Sequence, residues 1–466
     1  MITLQKTSEE PIRLQIYRRI KEQILDGTMR EKETLPSTRQ LADELGVSRS
    51  TVVEAYDMLL AEGFLVSRQG APTLVAEGLV LPREERKQPI EQEMVKTKVL
   101  ADFQTGRPDL ELFPRELWMR MLTQSAALLS PEEYGYTGPQ GSYPLRQEIA
   151  AWLGRNRGFL PQPEDIFITA GATHALRILT DVLCSDGGGI LIEDPCHMGL
   201  YETLQTCGCD IFPVPADEQG IRTDCLPALS SAAAVYITPS HQFPLGGILP
   251  ASRRAVLLRY AKKRGIYIIE DDYDSEFRFT GAPVAPLYAM DSSRVIYVGT
   301  FSKTVFPALR IGFAILPREL QERWRDIRTH SDVQNPPFEQ AALAEFLRTR
   351  KLDRHIRTMR KKYEKRRQTL LDALHEEFGT ACRACGDAAG LHVAIRFTGA
   401  FFEDSFEARC EQAGIRVVTL EEHCIEKGLH TDELVLGYGH MEPEAIVEAV
   451  RMLAVEIRRS MPREDV

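Results

Sequence analysis

Five short apolar runs recur between residues 166 and 300, and they constrain the fold more than any other feature. They are IFITA (166–170), GILIE (189–193), AVYITP (234–239), IYIIEDD (266–272) and RVIYVGT (294–300). Most are nearly unbroken in apolar residues. A strand reads that way when both its faces are covered, as in a parallel sheet. Helical patterns fill the intervals. The expectation is an α/β domain whose ligand groups gather at the carboxyl ends of its strands.

The strand ends carry the chemistry. IFITA runs into GATHAL, a small loop opening a helix, where free backbone N–H groups cradle a phosphate. GILIE runs into DPCHMG, AVYITP into SHQFPLGG, and IYIIE into DDYDSEF. RVIYVG runs into TFSKTVFPALRIG. A phosphate loop, a histidine, a glutamine, an acid, a tyrosine, a lysine and an arginine thus converge. Pyridoxal phosphate requires such a set. A lysine forms the Schiff base, an acid holds the pyridine nitrogen protonated, and a phenol meets the ring hydroxyl. A flat group stacks on the ring, while an arginine, hydroxyls and helix-start amides hold the phosphate.

The first eighty residues follow a different plan. Pro11 opens a helix in which Ile16, Ile20 and Ile24 form one stripe, and Gly27 ends it. Ser37 and Gln40 make an S-x-x-Q capping box for a second helix, turned by Gly46. Ser48 is the N-cap candidate of a third, whose Val52, Ala55, Tyr56 and Leu59 keep the spacing of a buried face. Helix, glycine turn, helix is the helix-turn-helix plan, and FLVSRQGAPTLVA adds a hairpin wing. The start of the third helix would face the major groove, so Ser48, Arg49, Ser50 and Thr51 are the base and backbone candidates. Arg39 is a phosphate-contact candidate, and Arg68 on the wing would reach a groove or backbone.

Bulk composition sets limits. With 43% hydrophobic residues the chain has material for a large core, and 466 residues predict two or three domains. The net charge is −10, and residues 1–78 hold 10 Lys+Arg against 12 Asp+Glu. Any grip on DNA must come from local clustering rather than overall charge. No run of eighteen apolar residues and no apolar leader core occurs, so a cytoplasmic protein with no membrane span is expected. Nine cysteines suit reduced, mostly buried thiols, with Cys382/Cys385 and Cys207/Cys209 read as structural; no metal site is expected. Residues 79–100 read as a charged linker, able to span roughly 70 Å extended or about 25 Å as a coil.

Two resemblances follow from these motifs. LPS-x-R-x-LA, GVSR-x-TV and L-x-x-EG, from Leu35 to Gly63, resemble the GntR family of bacterial repressors; Ala71 and Pro72 depart from its usual wing. From about residue 102 onward, IEDDYDSEFRF and TFSKTVFPALRIG resemble a fold-type I, class I aminotransferase. The fusion resembles the MocR group of regulators, of which GabR is the best-known kind. The resemblance implies a winged-helix head (1–78), a linker (79–100) and an aminotransferase-like body (101–466). The body would have a large mixed, mostly parallel sheet and a small α+β C-terminal subdomain. It also implies Lys303 as Schiff-base lysine, Asp271 (or Asp272) at the pyridine nitrogen and Tyr273 at the ring hydroxyl. Gly171, Ala172, Thr173, Thr300, Ser302 and Arg310 would hold the phosphate, and Gln242 would touch the ring hydroxyl. His197 stands where the family has a stacking tyrosine, and is either that group or structural. Tyr136 resembles the tyrosine that reaches the phosphate across a dimer interface, which implies a homodimer, head to tail. The implied partners are an operator duplex and a small effector, an amino compound or the cofactor. Class I aminotransferases fix the substrate carboxylate with an arginine where this chain has Val435, and Arg396 is the substitute at hand. The reading is therefore a PLP-dependent regulator, with a working aminotransferase carrying a DNA-binding head as the alternative.

Overall fold

The computed structural model describes residues 4–5, 10–68, 71–79, 99–185, 187–228, 231–281, 284–386 and 389–461. The expected linker lies, apart from residues 79, 99 and 100, outside the described residues. The chain divides into two compact units, Met1–Val95 and Lys96–Val466.

In the first unit, helix α1 (Ile12–Leu25) buries Ile16, Ile20 and Ile24 against Val52, Ala55 and Leu59 of α3 (Arg49–Ala61). Each buried Ile, Val or Leu side chain contributes about 1.5–3 kcal/mol by leaving water. Helix α2 (Thr38–Leu45) ends at Gly46, whose φ of 62° is the left-handed conformation a tight turn requires. Both serine caps form: Ser37 Oγ accepts from Gln40 N at 3.2 Å, and Ser48 Oγ from Thr51 N at 3.2 Å. Leu65–Val66 pairs antiparallel with Leu74–Val75, which makes the wing. Ser48→Ala is expected to lower the opening free energy of α3 by about 1 kcal/mol. Amide hydrogen exchange of the intact chain checks this, with Ser50→Ala expected to change it by less than about 0.5 kcal/mol.

The second unit is built on an eight-stranded mixed sheet. Its order is Ile166–Thr169, Gly312–Ile315, Val295–Thr300, Tyr267–Asp272, Ala232–Ile237, Gly189–Asp194, Asp210–Asp217, Gly220–Ile221. The five expected strands are all present, and four of them pair in parallel with one another. Gly312–Ile315 runs antiparallel between two others. Side chains alternate across the sheet, as the pleat dictates. Ile168, Val235, Ile268 and Val295 join one apolar layer, and Phe167, Ala234, Ile269 and Ile296 the other. The small C-terminal lobe has four antiparallel strands in the order Cys382–Cys385, His392–Phe397, Glu433–Gly437, Val418–Thr419. It packs on the helix Pro443–Arg459 and on a 28-residue interlobe helix, Lys351–Phe378. Leu352 of that helix belongs to the large lobe's core, and Met359, Tyr363, Leu370 and Leu374 to the small lobe's. At its middle Arg366 is buried, donating to Gly439 O at 2.7 Å and Asp109 Oδ2 at 2.6 Å, and pairing with Glu442.

No helix among the described residues is long and apolar enough to cross a membrane. All nine cysteines are free thiols. Five are only half-buried, among them Cys184 and Cys209, so the expectation of mostly buried thiols holds for four.

Candidate functional site

The carboxyl ends of the strands enclose a cavity of about 290 Å³. It draws together Ala172, Thr173, His197, Asp271, Tyr273, Thr300, Ser302, Lys303 and Arg310, nine of the twelve residues expected at a cofactor.

Neighbouring strands fix the two principal groups. Tyr267–Asp272 and Val295–Thr300 run parallel, with Asp271 beside Val298, and their ends present Asp271 and, one turn later, Lys303 to one space. Lys303 Nζ donates to Gly106 O at 2.5 Å. Burial holds its pKa below the ordinary lysine value, opposed by the charges of Asp274 and Asp271. Asp271 Oδ2 accepts from Tyr236 OH at 2.7 Å, whereas its Oδ1 is buried with no partner. Burial pushes this carboxyl up to about 7, with Asp272 and Asp274 adding to the rise and the Tyr236 bond opposing it. Strand alternation turns the two neighbouring acids to opposite faces of the sheet. Asp272 lies on the other face, paired with Arg157 at 2.6 Å and bonded by Tyr297 OH, and it does not line the cavity.

The phosphate-type cup forms at the start of the helix Ala172–Cys184. Gly171 is its N-cap with φ 96° and no side-chain cap, so first-turn N–H groups point outward unclaimed by a capping side chain. A Cβ on Gly171 would stand 3.1 Å from Arg310 Nη2, so the backbone and the guanidinium approach as closely as glycine permits. Arg310 itself has φ 51°, and its Nη2 donates to Ala170 O at 2.5 Å. Thr300 Oγ1 donates to Ser302 Oγ at 3.0 Å.

His197 lines the cavity as N-cap residue of the helix Met198–Thr206, its ring 5.3 Å from that of Phe243. Burial lowers its pKa, as does the Lys303 charge, so it presents a neutral flat ring at neutral pH. Gln242 stands apart from the other expected residues. It is fully buried and does not line the cavity. Its Nε2 donates to Pro195 O and Phe243 O, and its Oε1 accepts from Leu245 N, so the side chain is consumed in holding two loops. Tyr136 is 89% exposed and stands outside its own chain's cavity. Sequence reasoning missed His241, Asp274 and His392. His241 Nδ1 lies 3.0 Å from Asp274 Oδ2 and 3.0 Å from Tyr273 OH, and its ring lies 4.7 Å from that of His392, tilted by 40°. The motif DDYDSEF had contained Asp274 all along, but only the fold puts two distant histidines beside it.

These residues fit pyridoxal phosphate. The orphaned Asp271 oxygen suits a pyridinium N–H, the uncapped helix start with Arg310 suits a phosphate, and Lys303 suits an aldehyde.

In the first unit, Arg39, Ser48, Arg49, Ser50 and Arg68 are exposed and Thr51 is half-buried. Arg49 Nε donates to Thr38 Oγ1 at 3.4 Å. The hydroxyls of Ser50 and Thr51 lie 2.8 and 2.7 Å from Ser48 Oγ, so this cluster first secures the helix start.

Known protein families match both units of the chain. Residues 12–75 match the bacterial regulatory proteins of the gntR family, and residues 101–421 the aminotransferases of class I and II. The chain is 30% identical to the probable rhizopine catabolism regulatory protein MocR of Rhizobium meliloti, covering 97% of this chain and 95% of that one. It is 33% identical to the pyridoxine biosynthesis transcriptional regulator PdxR of Corynebacterium glutamicum, over 84% and 85%. Among solved structures, the α-aminoadipate aminotransferase LysN of Thermus thermophilus, complexed with N-(5'-phosphopyridoxyl)-L-leucine, superposes with a TM-score of 0.70 at 27% identity. That match covers 79% of this chain and 94% of LysN. A helix-turn-helix head of the gntR type joined to an aminotransferase domain along nearly the whole length of a MocR relative makes this chain a member of the MocR-type transcriptional regulators.

Proposed function

We propose that the body of this regulator holds pyridoxal phosphate on Lys303 and uses it to sense an amino compound, or the cofactor's own level, thereby altering how the head engages DNA. The observation that carries this reading is the buried, unpartnered Oδ1 of Asp271 sharing one cavity with Lys303. A buried polar oxygen without a partner costs about 1–3 kcal/mol, a cost offset when a ligand N–H meets it. When bound, the cofactor supplies an aldehyde that condenses reversibly with amines and a ring that withdraws electrons. Asp271 would hold the pyridine nitrogen, and Gly171, Ala172, Thr173, Thr300, Ser302 and Arg310 the phosphate. Tyr273, with His241 and Asp274 behind it, would set the proton at the ring hydroxyl. His197 would cover the ring. Tyr136 would complete the phosphate site of a second, head-to-tail copy.

Sensing is favoured over turnover because no arginine stands at the position where the resemblance would have an α-carboxylate fixed. Val435 is fully buried in its strand, and Arg396 is committed to Glu433 and Asp432. Arg310 is the one arginine lining the cavity among the described residues. The relative named for pyridoxine biosynthesis supports the cofactor itself as one candidate signal. A signal shifts DNA binding only insofar as it binds two states of the protein unequally. The test is to load the purified chain with pyridoxal phosphate, reduce with borohydride, and locate the added mass. Duplex affinity is then measured with and without a panel of amines. Added mass on a peptide other than that of Lys303, or duplex affinity indifferent to cofactor and amines alike, would sink the proposal.

A pH prediction follows from Asp271. Its folded pKa of about 7 lies above its ordinary 3.8, so between those values the unfolded chain has lost a proton that the folded chain keeps. Stability therefore falls as pH rises through this window, by up to about 1.4 kcal/mol per pH unit for one proton, and levels off above 7. Asp271→Asn removes this component. The gap in midpoint temperature between the ligand-free variant and wild type should widen in the variant's favour from pH 5 to 7, then stay constant.

A further inference from the structure

A second cavity, of about 410 Å³, shares no lining residue with the one around Lys303. Six arginines line it, Arg155, Arg157, Arg278, Arg350, Arg357 and Arg360, against the carboxyl groups of Asp353 and Glu276. Its floor is built rather than incidental. Arg157 is 7% exposed; one face of its guanidinium pairs with Asp272 at 2.6 Å and Ser240 at 3.2 Å, while its Nε is buried without a partner. Ser275 Oγ, Glu276 Oε2 and Arg278 Nε are likewise buried without partners. Four polar atoms left unmatched around one cavity are what a polar ligand would satisfy.

The rim adds charge and direction. Arg350 stands at φ 54°, a conformation that non-glycine residues adopt at a cost. It is the N-cap of the interlobe helix and makes no side-chain cap bond, so the positive end of a 28-residue helix opens beside it. The local acids do not cancel this field. Asp353 is engaged by Arg155 at 3.8 Å and Asn156 Nδ2 at 3.3 Å. Burial pushes Glu276 up to about 8, helped by Asp272 and opposed by Arg157, so at neutral pH it offers an O–H.

We propose that this cavity binds the phosphate group of a small molecule, at a site separate from the Lys303 cavity. Planar guanidinium groups match phosphate oxygens in pairs, and arginine is the side chain suited to that geometry. A free phosphate and a phosphate ester share this chemistry.

The test uses the full chain carrying Arg310→Gln, which disables the anion cup beside Lys303, and titrates it calorimetrically with inorganic phosphate or glycerol 3-phosphate at constant ionic strength. One equivalent of phosphate is expected to bind. Adding Arg278→Gln and Arg357→Gln should weaken it at least tenfold. Arg357→Gln with Arg360→Gln, both on the exposed helix face, guards against misfolding and should weaken it about threefold to tenfold. Tighter binding of the ester identifies an organic phosphate as the ligand, and equal binding a free phosphate; either supports the site. The proposal is overturned if the Arg310→Gln chain binds no phosphate. It is overturned equally if the Arg357→Gln/Arg360→Gln pair leaves phosphate affinity unchanged but lowers affinity for a random-sequence duplex, since the arginines would then serve nucleic acid. Arg278, Arg357 and Arg360 do not line the Lys303 cavity, so their substitution should leave its colour unchanged and this result stands apart from the cofactor test.

Discussion

Lys303→Ala, soaked in pyridoxal phosphate and desalted, should be colourless, whereas wild type stays yellow and gains mass at this lysine on borohydride reduction. The side chain is the one amine lining the cavity among the described residues, and burial lowers its pKa, so a larger fraction is the nucleophilic free base. The cup at Gly171 and Arg310 is untouched in the variant. Residual, non-covalent cofactor binding should therefore persist, weaker on the order of 100-fold, or about 2.8 kcal/mol. A fluorescence titration against wild type measures it. Colour retained by Lys303→Ala would remove the central residue of the proposed site.

Arg49→Ala should reduce affinity by about 10- to 100-fold for a duplex selected from a random library by the wild-type chain. That range corresponds to about 1.4–2.8 kcal/mol, as expected for an arginine that reads a guanine edge. Arg49 occupies the first turn of α3, exposed and lightly held by Thr38 Oγ1. Because the whole head is slightly acidic, there is no general field to compensate for its loss. Arg39→Ala should instead weaken all duplexes alike and reduce the salt slope by about one. Arg49→Ala should leave cofactor binding intact. An unchanged selection preference in Arg49→Ala would argue that the groove is read by other residues.

The parts of the molecule legible in its sequence are those governed by local physics. Ser37 and Ser48 announced two helix starts because a hydroxyl followed by helix-spaced apolar residues has few other uses. The five body strands were visible because double-sided burial leaves an unbroken apolar run. Gly312–Ile315 was missed, since nothing in four residues distinguishes an antiparallel insert from a loop end. Lys303, Asp271 and Arg310 line one cavity, a convergence legible in motifs that keep chemistry and strand end together. Gln242 does not line that cavity, because a motif fixes a position along the chain and not the direction of its side chain. His241 and His392 meet across 151 positions of sequence, and the arginine cavity gathers residues from 155 to 360. No local signal reports such convergence.

The interlobe helix gives the body a lever. Its 28 residues extend about 42 Å. The triple anchorage of Arg366 makes a fulcrum near the middle. Leu391 and His392, which close one side of the Lys303 cavity, ride on the lobe carried by its far arm, while Arg350 and Arg357 sit on the near arm. A tilt of about 5° would carry each tip by about 2 Å in opposite senses. If a ligand in the arginine cavity tilted this helix, the small lobe's side of the Lys303 cavity would move with it, without any loop refolding.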